Sequence, residues 1–250
     1  MKAHSRRTAT PLLVVLAVFL IVDPGALFAQ DSLSSNVVAG WLSRAAGARQ
    51  ELLDGRYKAG RKELDKILKE VLEQVTHGPA TTPLLTHLTL LRALAQAGLE
   101  NGYHAAWDLA MVRTMQPATV QLDLSEYGEL GEALLSEEAI WSSFPASTIH
   151  TGGGGAVAAE EVVPPKKLEA DPPKYPRAKR TSGVQALVIV EVVIAPDGTT
   201  RRPVVISRKT DPILAFVAMD KLRSWRFEPA RRNGRPIPAY YELTINFHLR

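Results

Sequence analysis

Between Val184 and Ala195 the chain reads VQALVIVEVVIA, a run rich in β-branched residues and closed by Pro196-Asp197-Gly198. That composition specifies a strand feeding a turn. Val184, Ala186, Val188, Val190, Val192 and Ile194 form an unbroken apolar face, whereas Gln185 and Glu191 fall on the other, so one face of this strand has to be covered. The cover is found downstream. Asp211 stands where an N-cap would accept hydrogen bonds from free backbone N–H groups, Pro212 suits the first helical position, and Leu214, Val217, Ala218, Leu222 and Trp225 recur at helical spacing over residues 211–226.

Two more strands complete a sheet. Pro203 to Ser207 reads as a short return strand after the Pro-Asp-Gly turn, with Arg201, Arg202, Arg208 and Lys209 at its ends. The last stretch, AYYELTINFHLR, alternates Ala239, Tyr241, Leu243, Ile245, Phe247 and Leu249 with Tyr240, Glu242, Thr244, Asn246, His248 and Arg250. A right-handed crossover through the helix places the first strand in the middle, in the order second, first, third. The final strand is then an edge whose backbone donors and acceptors are open on one side.

The chain begins with Lys2, Arg6 and Arg7, an apolar run from Pro11 to Val22, and small residues around Leu27-Phe28-Ala29. This is the pattern of a signal peptide over residues 1–29. The apolar run falls short of the roughly 20 residues that span a bilayer, and an uncleaved anchor is the alternative. No cysteine is present, which excludes disulfides, thiolate metal sites and a cysteine nucleophile. Export without disulfides is compatible with a bacterial periplasm, with inner-membrane anchoring of periplasmic domains as the alternative. Charge is split, about −7 over residues 30–162 and about +9 over 163–250. Such a split accommodates docking of the halves, attraction to an acidic partner, or two separately solvated surfaces.

Residues 30–142 are read as an all-α domain. Val38, Trp41, Leu42 and Ala45 open an amphipathic series that breaks at Gly55; further helical runs are expected through 57–75, 83–99 and 103–115, and a weaker one over 123–137, where Gly128 and Gly131 lower helical propensity. LLDGRYKAGRKEL at 52–64 and GLENGYHAAWDLA at 98–110 echo one another, with Gly55 and Gly102 about 47 residues apart. The echo resembles a degenerate tetratricopeptide arrangement, and an ordinary helical bundle is the alternative. Residues 143–172 lose periodicity, hold Gly152 to Gly155 and then Pro164-Pro165 and Pro172-Pro173, and are read as a linker with a flexible first part and a stiffer second part. The fold class is therefore α+β: an N-terminal helical domain, then a two-layer domain over 173–250 with a three-stranded antiparallel sheet and a helix on one face.

Tyr175-Pro176, Gly183 before the long strand, the Pro196-Asp197-Gly198 turn, Trp225-Arg226-Phe227-Glu228-Pro229, Asn233-Gly234 with Pro236, and the alternating terminal strand occur together and in order over about 75 residues. In this set the C-terminal domain resembles the TonB C-terminal domain family. The resemblance implies a periplasmic module, an energy transducer in transport, that accepts the N-terminal segment of an outer-membrane transporter, or another envelope protein, as an added strand. The implied partner-binding residues are Tyr240, Glu242, Thr244, Asn246 and His248. Trp225, Phe227 and Tyr175 read as core and corner packing. An inner-membrane motor is implied as a partner only if the N-terminus stays anchored. The chain departs from TonB itself in the short apolar run without Ser or His, and in a helical domain where TonB has a proline-rich spacer. A non-energised adaptor, using the helical domain for protein binding and the C-terminal fold for docking or oligomerisation, is the second reading.

No catalytic residues, cofactor site or metal site are expected. His4, His77, His87, His104, His150 and His248 lack ligand spacing, there is no G-x-S-x-G elbow, and the glycine run has no Lys-Ser or Lys-Thr behind it. Nucleic acid is not an expected partner, since the basic half carries no recognisable reading motif.

Overall fold

The computed structural model describes residues 35–76, 81–115, 122–142 and 162–249. The expected signal peptide and the glycine run at 152–155 lie outside the described residues.

The helical half contains α1 (Ser35–Leu53), α2 (Tyr57–Gln74), α3 (Thr81–Gly98), α4 (Gly102–Met115), a 3-10 turn (Ser125–Tyr127) and α5 (Glu129–Ser142). Val38, Trp41, Ala45, Ala48 and Leu52 form the buried stripe of α1, and Leu64, Ile67, Leu68 and Val71 that of α2. Helix α3 is different: buried residues occur all round it, as befits a helix at the centre of a bundle. Two helical hairpins are present, but the echoed glycines differ in role. Gly55 takes a left-handed φ of 77°, whereas at the second turn the left-handed residue is Glu100 and Gly102 opens α4. Tyr57 lies against Gly98, where a Cβ would meet its ring at 2.5 Å, so the first turn packs on the end of α3. The fifth run is shifted: its start is a 3-10 turn ended by Gly128, and the helix proper extends to Ser142.

The C-terminal half contains β1 (Val162–Val163), β2 (Lys166–Glu169), α6 (Arg177–Thr181), β3 (Ala186–Ile194), β4 (Thr200–Val205), α7 (Pro212–Leu222), β5 (Arg226–Glu228), β6 (Ala230–Arg232), β7 (Arg235–Ile237) and β8 (Ala239–Phe247). The main sheet runs β4-β3-β8, both pairings antiparallel. Val188, Val190, Val192 and Ile194 are fully buried beneath α7, which contributes Ile213, Leu214, Phe216, Met219 and Leu222. Helix α7 stops four residues earlier than its spacing suggests. Ser224 and Trp225 turn the chain instead, with Trp225 N–H donating to Leu222 O and its indole Nε1–H to Asp171 O at 2.9 Å. The short return strand begins at Thr200 rather than Pro203.

Residues 162–169, expected within the linker, form two strands of the C-terminal half. β1 pairs with β6 and β2 with β5, antiparallel in each case. β6 and β7 are joined through Asn233 and Gly234, both at positive φ, the backbone that a two-residue hairpin demands. Gly198 at the earlier turn is sterically required: φ is 79°, and a Cβ there would lie 2.2 Å from Phe227 O.

One hydrophobic core runs through both halves. Arg92 of α3 donates from Nε and Nη2 to both oxygens of Asp108 of α4 at 2.7 and 2.6 Å, and from Nη2 to Asp220 of α7 at 2.8 Å. Arg223 closes the network onto Asp220 at 2.8 Å and Asp108 at 3.4 Å. Buried Lys179 of α6 reaches both Asp211 and the carbonyl of Thr76 at the end of α2. Glu73 of α2 holds Lys174 and the Arg177 N–H. Part of the charge split is thus consumed in docking, with Asp108 and Glu73 of the acidic half meeting Arg223 and Lys174 of the basic half.

Candidate strand-accepting edge

β8 is built by alternation. Ala239, Leu243, Ile245 and Phe247 are buried, Tyr241 is half-buried, and Glu242, Thr244 and Asn246 are exposed on the opposite face. Its nine residues pair without a register break to β3, from Ala239 opposite Ile194 to Phe247 opposite Ala186. On its other side no strand is paired to β8 among the described residues. A strand of this length has a row of N–H and C=O groups on that side, the template for pairing with another chain.

Of the five expected site residues, Tyr240, Glu242, Thr244 and Asn246 lie on one face of β8, and exposed His248 follows its end. Tyr240 is half-buried, and its hydroxyl accepts a long contact of 3.5 Å from Arg202 Nη1. Beside residues 244–249 runs a groove of about 590 Å³ whose far wall includes Lys167, Pro172, Pro173, Tyr175, Arg180 and Trp225. Trp225 is held by its indole bond to Asp171 O and carries Lys167 Nζ 4.7 Å above its ring. Tyr175 bonds Val184 O through its hydroxyl and packs edge-on against Phe247 at 5.5 Å. Trp225 and Phe227 are buried packing residues. The wall formed by residues 167–173 was not apparent from the sequence. A tract of prolines and lysines shows neither periodicity nor a partner, and only Pro172-Pro173 signalled stiffness.

The opposite edge, β4, is closed by several devices. Pro203 lacks an N–H, and the register with β3 breaks between Glu191 and Val193 where Arg202 takes a φ of 51°. Helix α4 packs across it: Thr114 Oγ1 donates to Pro203 O at 3.0 Å, and the Tyr103 hydroxyl lies 3.0 Å from both Thr200 O and Arg223 O. Burial raises the pKa of that phenol, which keeps it a donor. Sequence patterning gave no sign that Tyr103 and Thr114 act here, because their partners lie about 90 residues or more away.

Among the described residues no three or more His, Asp or Glu side chains are grouped to hold a metal ion, and no helix is long and apolar enough to cross a membrane. A three-stranded antiparallel sheet backed by one helix, with no strand paired to its last strand on the outer side among the described residues, defines a small two-layer α+β module. Residues 171–249 match the family described as Gram-negative bacterial TonB protein C-terminal, and the C-terminal domain of this chain is of that family. Two proteins named Protein TonB, from Xanthomonas campestris pv. campestris strains B100 and ATCC 33913, are each 33% identical to it over 79 residues. The match covers 32% of this chain and 35% of each relative, so the chain spans about a third of the length of the curated relatives it matches. The helical half lies outside the family match.

Proposed function

We propose that this is a periplasmic TonB-like protein that binds an outer-membrane transporter or another envelope protein by taking up an extended segment of it along β8. It works by binding rather than catalysis, and in energised transport it would be the component that grips the transporter. The observation that carries this reading is the difference between the two edges. β4 has a proline, a register break and a covering helix, the devices by which sheets avoid pairing, while β8 has none of the three. An edge left open in a fold that closes its other edge is an edge kept for a partner.

The chain has no cysteine, so a single one introduced at Asn246 is a unique handle. Asn246→Cys is expected to form a disulfide with a cysteine-bearing N-terminal segment of a transporter, whereas Val204→Cys on β4 forms none. Equal trapping from both positions, or none from Asn246, sinks the assignment to β8.

The docked helical half favours a second reading. It packs directly against β4 and α6 through hydrogen bonds to backbone carbonyls and against α7 through the Arg92–Asp220 ion pair, so the edge sits on a two-domain body. A non-energised adaptor would use β8 to hold one partner and the exposed helices to hold another. Recovery of a stable ternary complex without any requirement for the membrane potential would favour that reading over energised uptake.

A further inference from the structure

The rows of side chains that cross the open face of the main sheet specify what an added strand should carry. Resting on the strand-addition reading above, we infer that β8 selects a segment with a Lys or Arg on its outward face, seated beside Glu242.

Glu191 of β3 and Glu242 of β8 are direct cross-strand partners on this face, and the neighbour of Glu191 on the other side is Val204. Directly opposed residues have Cβ atoms about 4.5–5.5 Å apart, where like charges repel. Neither carboxylate makes an ion pair among the described residues, although residues 163–250 hold about twice as many Lys and Arg as Asp and Glu. Arg202, at the register break of β4, is turned to the Tyr240 hydroxyl. Towards the groove the rows are uncharged, Ile189 opposite Thr244 and Leu187 opposite Asn246, with Leu187 52% exposed; on the other side Val193 lies between Tyr240 and Arg201, which is paired with Asp197 at 3.2 Å.

A third strand would extend the Glu191–Glu242 row by one residue, about 4.8 Å beyond Glu242. A cation there faces two carboxylates in line, while an acid there would make a third like charge. The far end of the edge has the opposite sign. Lys167 and Arg180 line the groove beside residues 244–249, which contains no Asp or Glu. A cation in the incoming strand is therefore drawn to Glu242 and repelled from the groove, so charge selects the register as well as the partner.

The test uses the full chain and two blocked synthetic strands of alternating threonine and valine, identical except that one carries arginine and the other glutamate at one outward position. Affinity is read by fluorescence anisotropy, and strand addition by hydrogen-exchange protection of the β8 amides. The arginine strand is expected to bind about fivefold more tightly at low salt, with the difference shrinking in about 0.5 M salt. Glu242→Gln should reduce the preference and Glu242→Lys should invert it. If both strands protect β8 equally, or if the preference survives Glu242→Lys, charge selection is overturned while strand addition stands. If neither strand protects the β8 amides, the edge reading falls and takes this inference with it.

Discussion

Asp211 caps α7 with one carboxylate oxygen and holds a buried lysine with the other. Oδ1 accepts from the N–H groups of Ile213 and Leu214 at 3.0 and 3.1 Å, while Oδ2 lies 2.6 Å from Lys179 Nζ. The two roles differ in energy. Losing a cap costs about 0.5–2 kcal/mol, whereas stranding a buried charge by removing its partner costs about 3–5 kcal/mol. Asp211→Asn retains a capping oxygen and removes the charge, so it should still lose about 3 kcal/mol in urea denaturation. With Lys179→Met in the background, the same change should cost about 1 kcal/mol or less. A loss from Asp211→Asn that is unchanged by Lys179→Met would show that the cap, and not the charge, matters. The first role was legible in Asp211-Pro212 preceding an apolar run. The second was not, because a lysine is expected at the surface and its other acceptor, Thr76 O, is 103 residues away in sequence.

At the level of the element, what could be read from sequence was what repeats locally. The period of β8, the apolar face of β3 and the helical stripes of α1 and α2 are local patterns, and they mark their elements directly. β1 and β2 carry no such pattern: their residues are all exposed, and their ladder partners lie about 60 or more residues downstream. The closure of β4 was hidden for the same reason, since a helix from the other half supplies it. Removing that closure is a direct check on how the edges are distinguished. Tyr103→Phe with Thr114→Val deletes the hydroxyls that reach Thr200 O and Pro203 O and leaves the packing volume nearly unchanged. The pair should lower stability by about 1–3 kcal/mol, consistent with two hydrogen bonds of which one is shared. It should also speed amide exchange in β4 and leave β8 unaffected. Equal acceleration in both strands would mean that the hydroxyls support the whole sheet and do not guard one edge.

Across the whole molecule, the two halves are joined by buried charge, and this makes their union sensitive to acid. Arg92 and Asp108 are 4% and 0% exposed, and Asp220 and Arg223 complete the cluster from the C-terminal side. Burial alone would raise the pKa of Asp220, but Arg92 and Arg223 outweigh it and hold the carboxyl below the usual value of 3.8. A depressed carboxylate contributes stability above its unfolded pKa, and that contribution is lost as pH falls through its folded pKa. The histidines act earlier. Partial loss of solvation is the main cause that lowers the pKa of half-buried His87 and of the more exposed His104 below 6.5, assisted at His104 by Arg223 and at His87 by Arg49. Between the folded pKa and 6.5 the unfolded chain binds protons that the folded one does not, so stability begins to fall as pH drops below about 6.5. Thermal unfolding should therefore show two acid phases, the first between pH 7 and the lowered histidine pKa values and the second below pH 4. His87→Gln with His104→Gln should flatten the first phase alone. Asp220→Asn should remove part of the second and, because it cuts Arg92 away from α7, increase proteolysis between the halves at neutral pH. If melting temperature is flat from pH 7.5 to 5 in the parent chain, the histidines are not held neutral and the first phase has no source. If Asp220→Asn leaves the halves equally resistant to protease, the union rests on the shared apolar core and Tyr103, and the charge network is incidental to it.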